Sequence, residues 1–348
     1  MISVVEAYDA ILLISFGGPN GPEDVMPFLD RVLRRRRVPE ERKREVAHHY
    51  EFFGGVSPIN AQNRALIVAL REELKAAGIL LPIYWGNRNW HPLLAATLRE
   101  MQKAGVRRAL GFVTSAFGSY SGCRQYLEDI EEARLELGGQ APVVDKIRLF
   151  YNHPLFISAN AQQLYDTLKL VPAEARGGVR VVFTAHSIPV SMARSSRYVE
   201  QLEEACRCVA KEVGLARWDL AYQSRSGPPQ QPWLEPDILS FLTFLHREGV
   251  TYVVLLPIGF VADHLEVQYD LGVEARTLAK KLGLELFLVP TVGTHPLYIR
   301  MIRELVQERL DPTVPRRAVG QWGPSPDICP VDCCFLRAKP AIVAEGDL

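Results

Sequence analysis

The stretch VADHLEVQYDLGVEA, residues 261–275, holds Asp263, Glu266, Asp270 and Glu274 and no Lys or Arg. It follows TYVVLLPIGF, an apolar run that reads as a buried strand. On a helix, Glu266, Asp270 and Glu274 fall at i, i+4 and i+8 and so share one face. Like charges at that spacing repel, and burial would raise at least one of their pKa values. Such a stripe suits cation binding or stepwise proton removal; it equally suits a solvated acidic face. His186 follows a second apolar run, VRVVFTA, and Pro189 keeps the residues after it out of a helix. A neutral imidazole there can bind a metal, accept a proton, or bond within its loop. One histidine and one carboxylate stripe, each at a strand end, suggest a cleft that handles a cation. His264, inside the acidic stretch, ranks below His186, because helical geometry turns it to a different face from Glu266.

Cys329, Cys333 and Cys334 lie within six residues, and the other cysteines are Cys123, Cys206 and Cys208. A reducing compartment argues against disulfides, so the tail group points to metal or cluster ligation or to no role. An iron–sulfur centre wants four thiolates, and Cys123 is the candidate for the fourth. Cys206 and Cys208 fall in an amphipathic helical pattern and read as structural thiols. The loop GGPNGPED after the first strand lacks the Lys-Ser/Thr of a P-loop and the G-x-G-x-x-G spacing, which argues against nucleotide binding. The basic run Arg34–Arg37 is either a solvated face or a contact for substrate carboxylates. YEFFGGVSPIN (50–60) suits a flat aromatic ligand or an ordinary packed loop.

The elements that must position these residues alternate. Strand patterns at 8–16, 81–87, 107–115, 179–185, 252–260 and 284–292 are separated by amphipathic segments such as 61–78 and 196–214. Alternation of this kind implies βαβ units and parallel sheets. The expected architecture is α/β, with two Rossmann-like doubly wound domains. They span 1–150 and 151–312, followed by a C-terminal extension, 313–348, that carries the cysteine group and packs back on the first domain. In such sheets chemistry collects at the carboxyl ends of the strands. The 348 residues carry 40 basic and 40 acidic side chains, with 48% hydrophobic and 23% charged residues. That balance gives no sign of a nucleic-acid or membrane partner. No apolar run reaches the roughly 18 residues of a spanning helix, and MISVVEAYDA lacks the layout of a secretory signal. The expected location is the cytoplasm.

LLISFGGPNGPEDV, HYEFFGGVSPIN, TAHSIP and GFVADHLEVQYDLGVEA, taken together and in this order, resemble the ferrochelatase family over about residues 8–310. IYWGNRNWHP, YSGCRQY and YQSRSGPPQQPWLEPD look most like its actinobacterial branch, which is similar to the coproporphyrin III ferrochelatases. The resemblance implies the type II chelatase fold and insertion of Fe²⁺ into a porphyrin, most simply coproporphyrin III to give coproheme in haem biosynthesis. It implies that His186 and Glu266 are the metal-site and catalytic pair, with Asp270 and Glu274 continuing as a proton or metal path. It implies substrate contacts from Ser57 and Tyr126. Phe16 stands where firmicute members carry a tyrosine, so no axial phenol comes from that position. Several members carry a [2Fe–2S] cluster on one internal and three C-terminal cysteines, a set that Cys123, Cys329, Cys333 and Cys334 resemble. Alternatives are a protoporphyrin IX ferrochelatase and, in a different class, a non-catalytic tetrapyrrole carrier or an iron–sulfur redox sensor. The expected partners are the porphyrin and ferrous iron, with a haem-pathway enzyme handing over substrate or product, and the expected state is a monomer.

Overall fold

The structure is a computed structural model that describes residues 7–34, 38–228 and 230–335. Among them are two four-stranded sheets. The first contains β1 (Ala10–Ser15), β2 (Ile83–Asn87), β3 (Arg108–Val113) and β4 (Val143–Lys146) in the order β2-β1-β3-β4. The second contains β5 (Arg180–His186), β6 (Asp219–Gln223), β7 (Tyr252–Leu256) and β8 (Glu285–Leu288) in the order β6-β5-β7-β8. All pairings are parallel. The two halves therefore repeat one topology, and the α/β expectation holds. β1 is buried at every residue, as a strand covered on both faces must be, and its sequence AILLIS is correspondingly apolar.

Each sheet changes direction once. β6 lies on one side of β5 and β7 on the other, so the crevice outside the carboxyl ends of β5 and β7 is a topological switch point. β1 and β3 form the equivalent point in the first sheet. His186 ends β5 and Glu266 follows β7, so the sequence pair flanks the second switch point.

The largest hydrophobic core joins both halves. It includes Ile11, Leu13 and Phe112 from the first sheet, Phe183 and Val254 from the second, and Tyr298 between them. Tyr298 belongs to the helix Pro296–Leu310, which packs both on the helix Ile59–Ala76 of the first half and on the helix Pro154–Leu168. After it the chain runs back across the molecule. The Val319 N–H donates to the Asn152 carbonyl at 2.9 Å, and the Asn152 side chain donates to the Trp322 carbonyl at 2.8 Å. The Arg197 guanidinium lies 4.0 Å over the Trp322 ring. Farther on, Arg124 of the first half donates to the Val331 carbonyl. No helix among the described residues is long and apolar enough to cross a membrane.

Candidate active site

His186 is fixed from three directions. Its Nδ1–H donates to the Ser187 carbonyl, which leaves Nε2 as the nitrogen free for other chemistry. The Tyr198 hydroxyl donates to the His186 carbonyl at 3.0 Å, and the Ser187 N–H donates to the Gln223 carbonyl at 2.7 Å. Nε2 then stands 3.5 Å from Glu266 Oε2, with the two side chains 31% and 42% exposed. The pair faces an open cleft, so a metal could reach it and leave.

Glu266 opens a π-helix, Glu266–Ala275, in place of the α-helical turns that the i, i+4 reading assumed. Its i→i+5 hydrogen bonds give a wider turn, and such turns recur at functional sites. Val267, Leu271 and Ala275 are buried against the second core and anchor the helix. The acids remain electrostatic neighbours: burial first, then Glu266 and Glu274, push Asp270 up to about 7, while a hydrogen bond from Ser224 pulls the other way. Burial, with Asp237 next, also raises Glu274. Glu266 goes in the opposite direction. Burial works against its charge, but His186 and then His264 hold it down at about 2. For His186 burial opposes the charged form, yet the facing Glu266 carboxylate brings the net shift upward. One ionised carboxylate thus sits beside one carboxyl poised near neutrality.

His264 requires a correction. It precedes the π-helix instead of lying in it, so the helical-face argument does not apply. Its Nδ1 accepts from the Glu266 N–H at 3.1 Å, and its Nε2 stands 3.9 Å from Glu266 Oε2. Burial lowers its pKa, with Glu266 pulling the other way. Sequence reading also missed Gln223 and Ser224. The Gln223 amide donates to the Glu266 carbonyl at 2.8 Å. Ser224 holds a left-handed backbone (φ 63) while its hydroxyl bonds Asp270. A non-glycine residue in that region is strained and is often found at working sites. A signal existed in the polar run QSRSGPP directly after a short strand.

Ser57 and Tyr126 belong to the first half, and both are almost fully buried. The Ser57 N–H donates to the Pro19 carbonyl at 2.9 Å, which ties it to the loop after β1. Tyr126 lies under the Arg88 guanidinium, 4.4 Å from its ring centre, and Arg88 in turn pairs with Asp129 at 2.5 Å. Phe16, at the end of β1, is exposed and meets Phe28 edge-on at 6.2 Å. Of the basic run, Arg34 lies 3.5 Å from Asp129, and Arg35–Arg37 fall outside the described residues.

Cys123 lies near enough to Cys329 and Cys334 to act on their charge, although they are far apart in sequence. Cys333 and Cys334 Sγ atoms are 3.7 Å apart, too far for a disulfide bond, and all six thiols are free. Burial raises Cys329 to about 11, with Cys333 and then Cys123 adding to the shift, and Cys334 moves upward through burial and the same neighbours. Among the described residues no group of three or more His, Cys, Asp or Glu closes around one point as a metal cage. Cys206 and Cys208 lie apart from the tail group in the helix Tyr198–Val213.

The family model described as Ferrochelatase matches residues 8–310. The chain belongs to the ferrochelatase family. Its reaction is therefore insertion of iron into a porphyrin. A curated relative named Ferrochelatase, from Rhodopirellula baltica, is 51% identical over 99% of this chain and 98% of its own. One from Nocardia farcinica, named Coproporphyrin III ferrochelatase, is 49% identical over 96% and 99%. A solved structure of SirB from Bacillus subtilis with Fe³⁺ superposes with a TM-score of 0.51 at 13% identity, covering 88% of this chain and 96% of that one. That likeness bears on the fold, which is that of a chelatase with two similar α/β halves.

Proposed function

We propose that this ferrochelatase inserts Fe²⁺ into coproporphyrin III, with His186 and Glu266 as the pair that receives the metal. The observation that carries the metal assignment is the 3.5 Å approach of His186 Nε2 to Glu266 Oε2 across an open crevice. Support for the porphyrin comes from relatives bearing that substrate in their names, from Nocardia farcinica at 49% and Streptomyces griseus at 49% identity. One imidazole and one carboxylate bind a ferrous ion without closing around it, so the ion can pass to the ring. Two pyrrole protons leave as the metal enters, and the product is a neutral iron–porphyrin core. Glu266, ionised, attracts the cation. Asp270, with its carboxyl held near 7, accepts and releases protons at neutral pH and passes them toward Glu274. In this reading Ser57 and Tyr126 are substrate contacts from the first half.

The test is anaerobic insertion of Fe²⁺ into coproporphyrin III and protoporphyrin IX by the purified chain. Coproporphyrin III should give the higher kcat/KM. His186→Ala and Glu266→Gln should each lower kcat by about a hundredfold or more, a typical scale for loss of a positioned acid–base group. Folded variants that keep wild-type turnover would remove the metal assignment, and a preference for protoporphyrin IX would remove the substrate assignment.

We further propose that Cys123, Cys329, Cys333 and Cys334 hold a [2Fe–2S] cluster. Two thiolates about 2.3 Å from one tetrahedral metal sit roughly 3.8 Å apart, and Cys333 and Cys334 are at 3.7 Å. Thiols that raise one another's pKa ionise together only beside a cation, which is the electrostatic setting of a metal-binding group. Such a cluster would supply a one-electron redox centre and a cross-link between the tail and the segment Tyr120–Arg124 that carries Cys123. Iron and sulfide should be found in protein purified without oxygen, with visible absorption that Cys329→Ser abolishes. The same variant should melt roughly 5–10 °C lower, the scale of losing a long-range cross-link. Wild-type protein free of iron and sulfide would rule the proposal out.

A further inference from the structure

His264 ends, and Glu266 closely follows, a short loop segment, residues 261–264, on the path from β7 to the π-helix. Its start is tied within the second half, where the Gly293 N–H donates to the Val261 carbonyl at 2.9 Å. Its end is tied there too, by Gln223 on the Glu266 carbonyl. Between these ties stands Asp263, whose peptide groups are taken by the other half of the molecule. The Asp263 N–H donates to Gln62 Oε1 at 2.8 Å, and Gln62 Nε2–H donates to the Asp263 carbonyl at 3.2 Å. Gln62 lies 201 residues away, in the first turn of the helix Ile59–Ala76. One side-chain amide thus pairs with both main-chain groups of one residue, as a neighbouring strand would.

We propose that Gln62 is a positioning residue for iron insertion, a latch between the two halves that sets the depth of His264 and Glu266 in the cleft. The inference rests on the reading of His186 and Glu266 as the metal pair. Three features carry it. Gln is neutral and offers a donor and an acceptor on one planar group, so it satisfies a peptide's N–H and C=O together. Asp263 is the residue before His264, so a shift of its peptide moves the imidazole and, through the Glu266 N–H on His264 Nδ1, the first turn of the π-helix. Finally, Gln62 borders two cavities, one lined by Asn63, Thr114 and Tyr298 and the other by Gln163, Thr291 and His295. Close packing does not surround the side chain, and the two hydrogen bonds determine where it holds the loop. Because Gln62 is only half-buried, water replaces part of what its removal loses.

The test compares wild type, Gln62→Met and Glu266→Gln under anaerobic conditions. Methionine keeps the length and removes both hydrogen bonds. Gln62→Met is expected to raise KM for Fe²⁺ about tenfold, the effect of losing two partly exposed hydrogen bonds, with KM for the porphyrin unchanged. The Asp263 amide should lose its hydrogen-exchange protection in the same variant while the melting temperature stays within a few degrees. An unchanged iron KM overturns the latch. So does an equal loss in every kinetic parameter together with a lower melting temperature, because that marks a general packing role. If Gln62→Met raises the iron KM and Glu266→Gln leaves iron use unchanged, the metal-pair reading fails and only the part of the latch that acts through His264 survives; the reverse pattern sinks the latch alone.

Discussion

At the residue scale, the site works through opposed shifts on two carboxyls in one stretch. Glu266 is held at about 2, where it is ionised throughout the physiological range, and Asp270 at about 7, where it changes state. The sign for stability follows from the second. In the unfolded chain an Asp loses its proton near 4; in the folded chain Asp270 keeps it to about 7. Folding therefore takes up a proton between those values, and native stability falls as pH rises through that window. Asp270→Asn removes this dependence. Its melting temperature relative to wild type is expected to climb from pH 4 to pH 7 and then level off. A difference that stays flat with pH would show that Asp270 titrates normally. Iron insertion should decline in the same variant, since an amide accepts no proton from the ring. His186 and Glu266 were legible as a strand-end histidine and the first acid of a stripe. His264 was not, because its closeness to Glu266 depends on where the helix begins, and periodicity does not mark that boundary.

At the scale of elements, strand alternation gave both sheets, and the long apolar strands were plain in the sequence. β4 and β6 escaped notice. VVDK and DLAYQ are short and mix charge with apolar residues; no residue of the first is fully buried, and the second is only partly buried over its first two positions. The π-helix escaped as well, since four-residue spacing reads as α-helical and nothing local in EVQYDLGVEA signals the wider turn. What joins the two site-bearing strands is a close approach. The Gly259 N–H donates to the Thr184 carbonyl at 3.1 Å, and a Cβ on Gly259 would lie 2.7 Å from both Cα and Cβ of Ala185. Ala185 precedes His186, so a methyl group there must push the end of β5. Gly259→Ala is expected to cost about 1–3 kcal/mol of stability through overpacking. It should also lower iron insertion by about tenfold or more, as small misplacements of reacting groups do. Gly177→Ala is the control, because a Cβ there meets nothing within 4 Å. Equal turnover in the two variants would count against the strand contact as a positioning device.

At the scale of the molecule, the two halves are held by groups far apart in sequence, and these contacts were invisible in motifs because each depends on the completed fold. Arg148 and Glu308 make the strongest case. Nε and Nη2 of Arg148 donate to the two Glu308 oxygens at 2.7 and 2.8 Å, with side chains 1% and 3% exposed. The pair joins the segment after β4 to the helix Pro296–Leu310, and Arg148 Nη2 also donates to the Arg317 carbonyl at 2.9 Å, where the chain starts its return. Charges this deep tolerate no loss of a partner. Glu308→Gln leaves the guanidinium buried without its counter-charge and is expected to destabilise the fold by about 3–5 kcal/mol. For a chain of this size that lowers the melting temperature by roughly 10 °C. Replacing both residues, as Arg148→Met with Glu308→Leu, removes the charge as well as its partner. The double variant should therefore melt closer to wild type than Glu308→Gln does. Thermal unfolding of the three proteins decides it: a double variant that melts lower than Glu308→Gln would mean that the hydrogen bonds themselves, more than the stranded charge, hold the halves together.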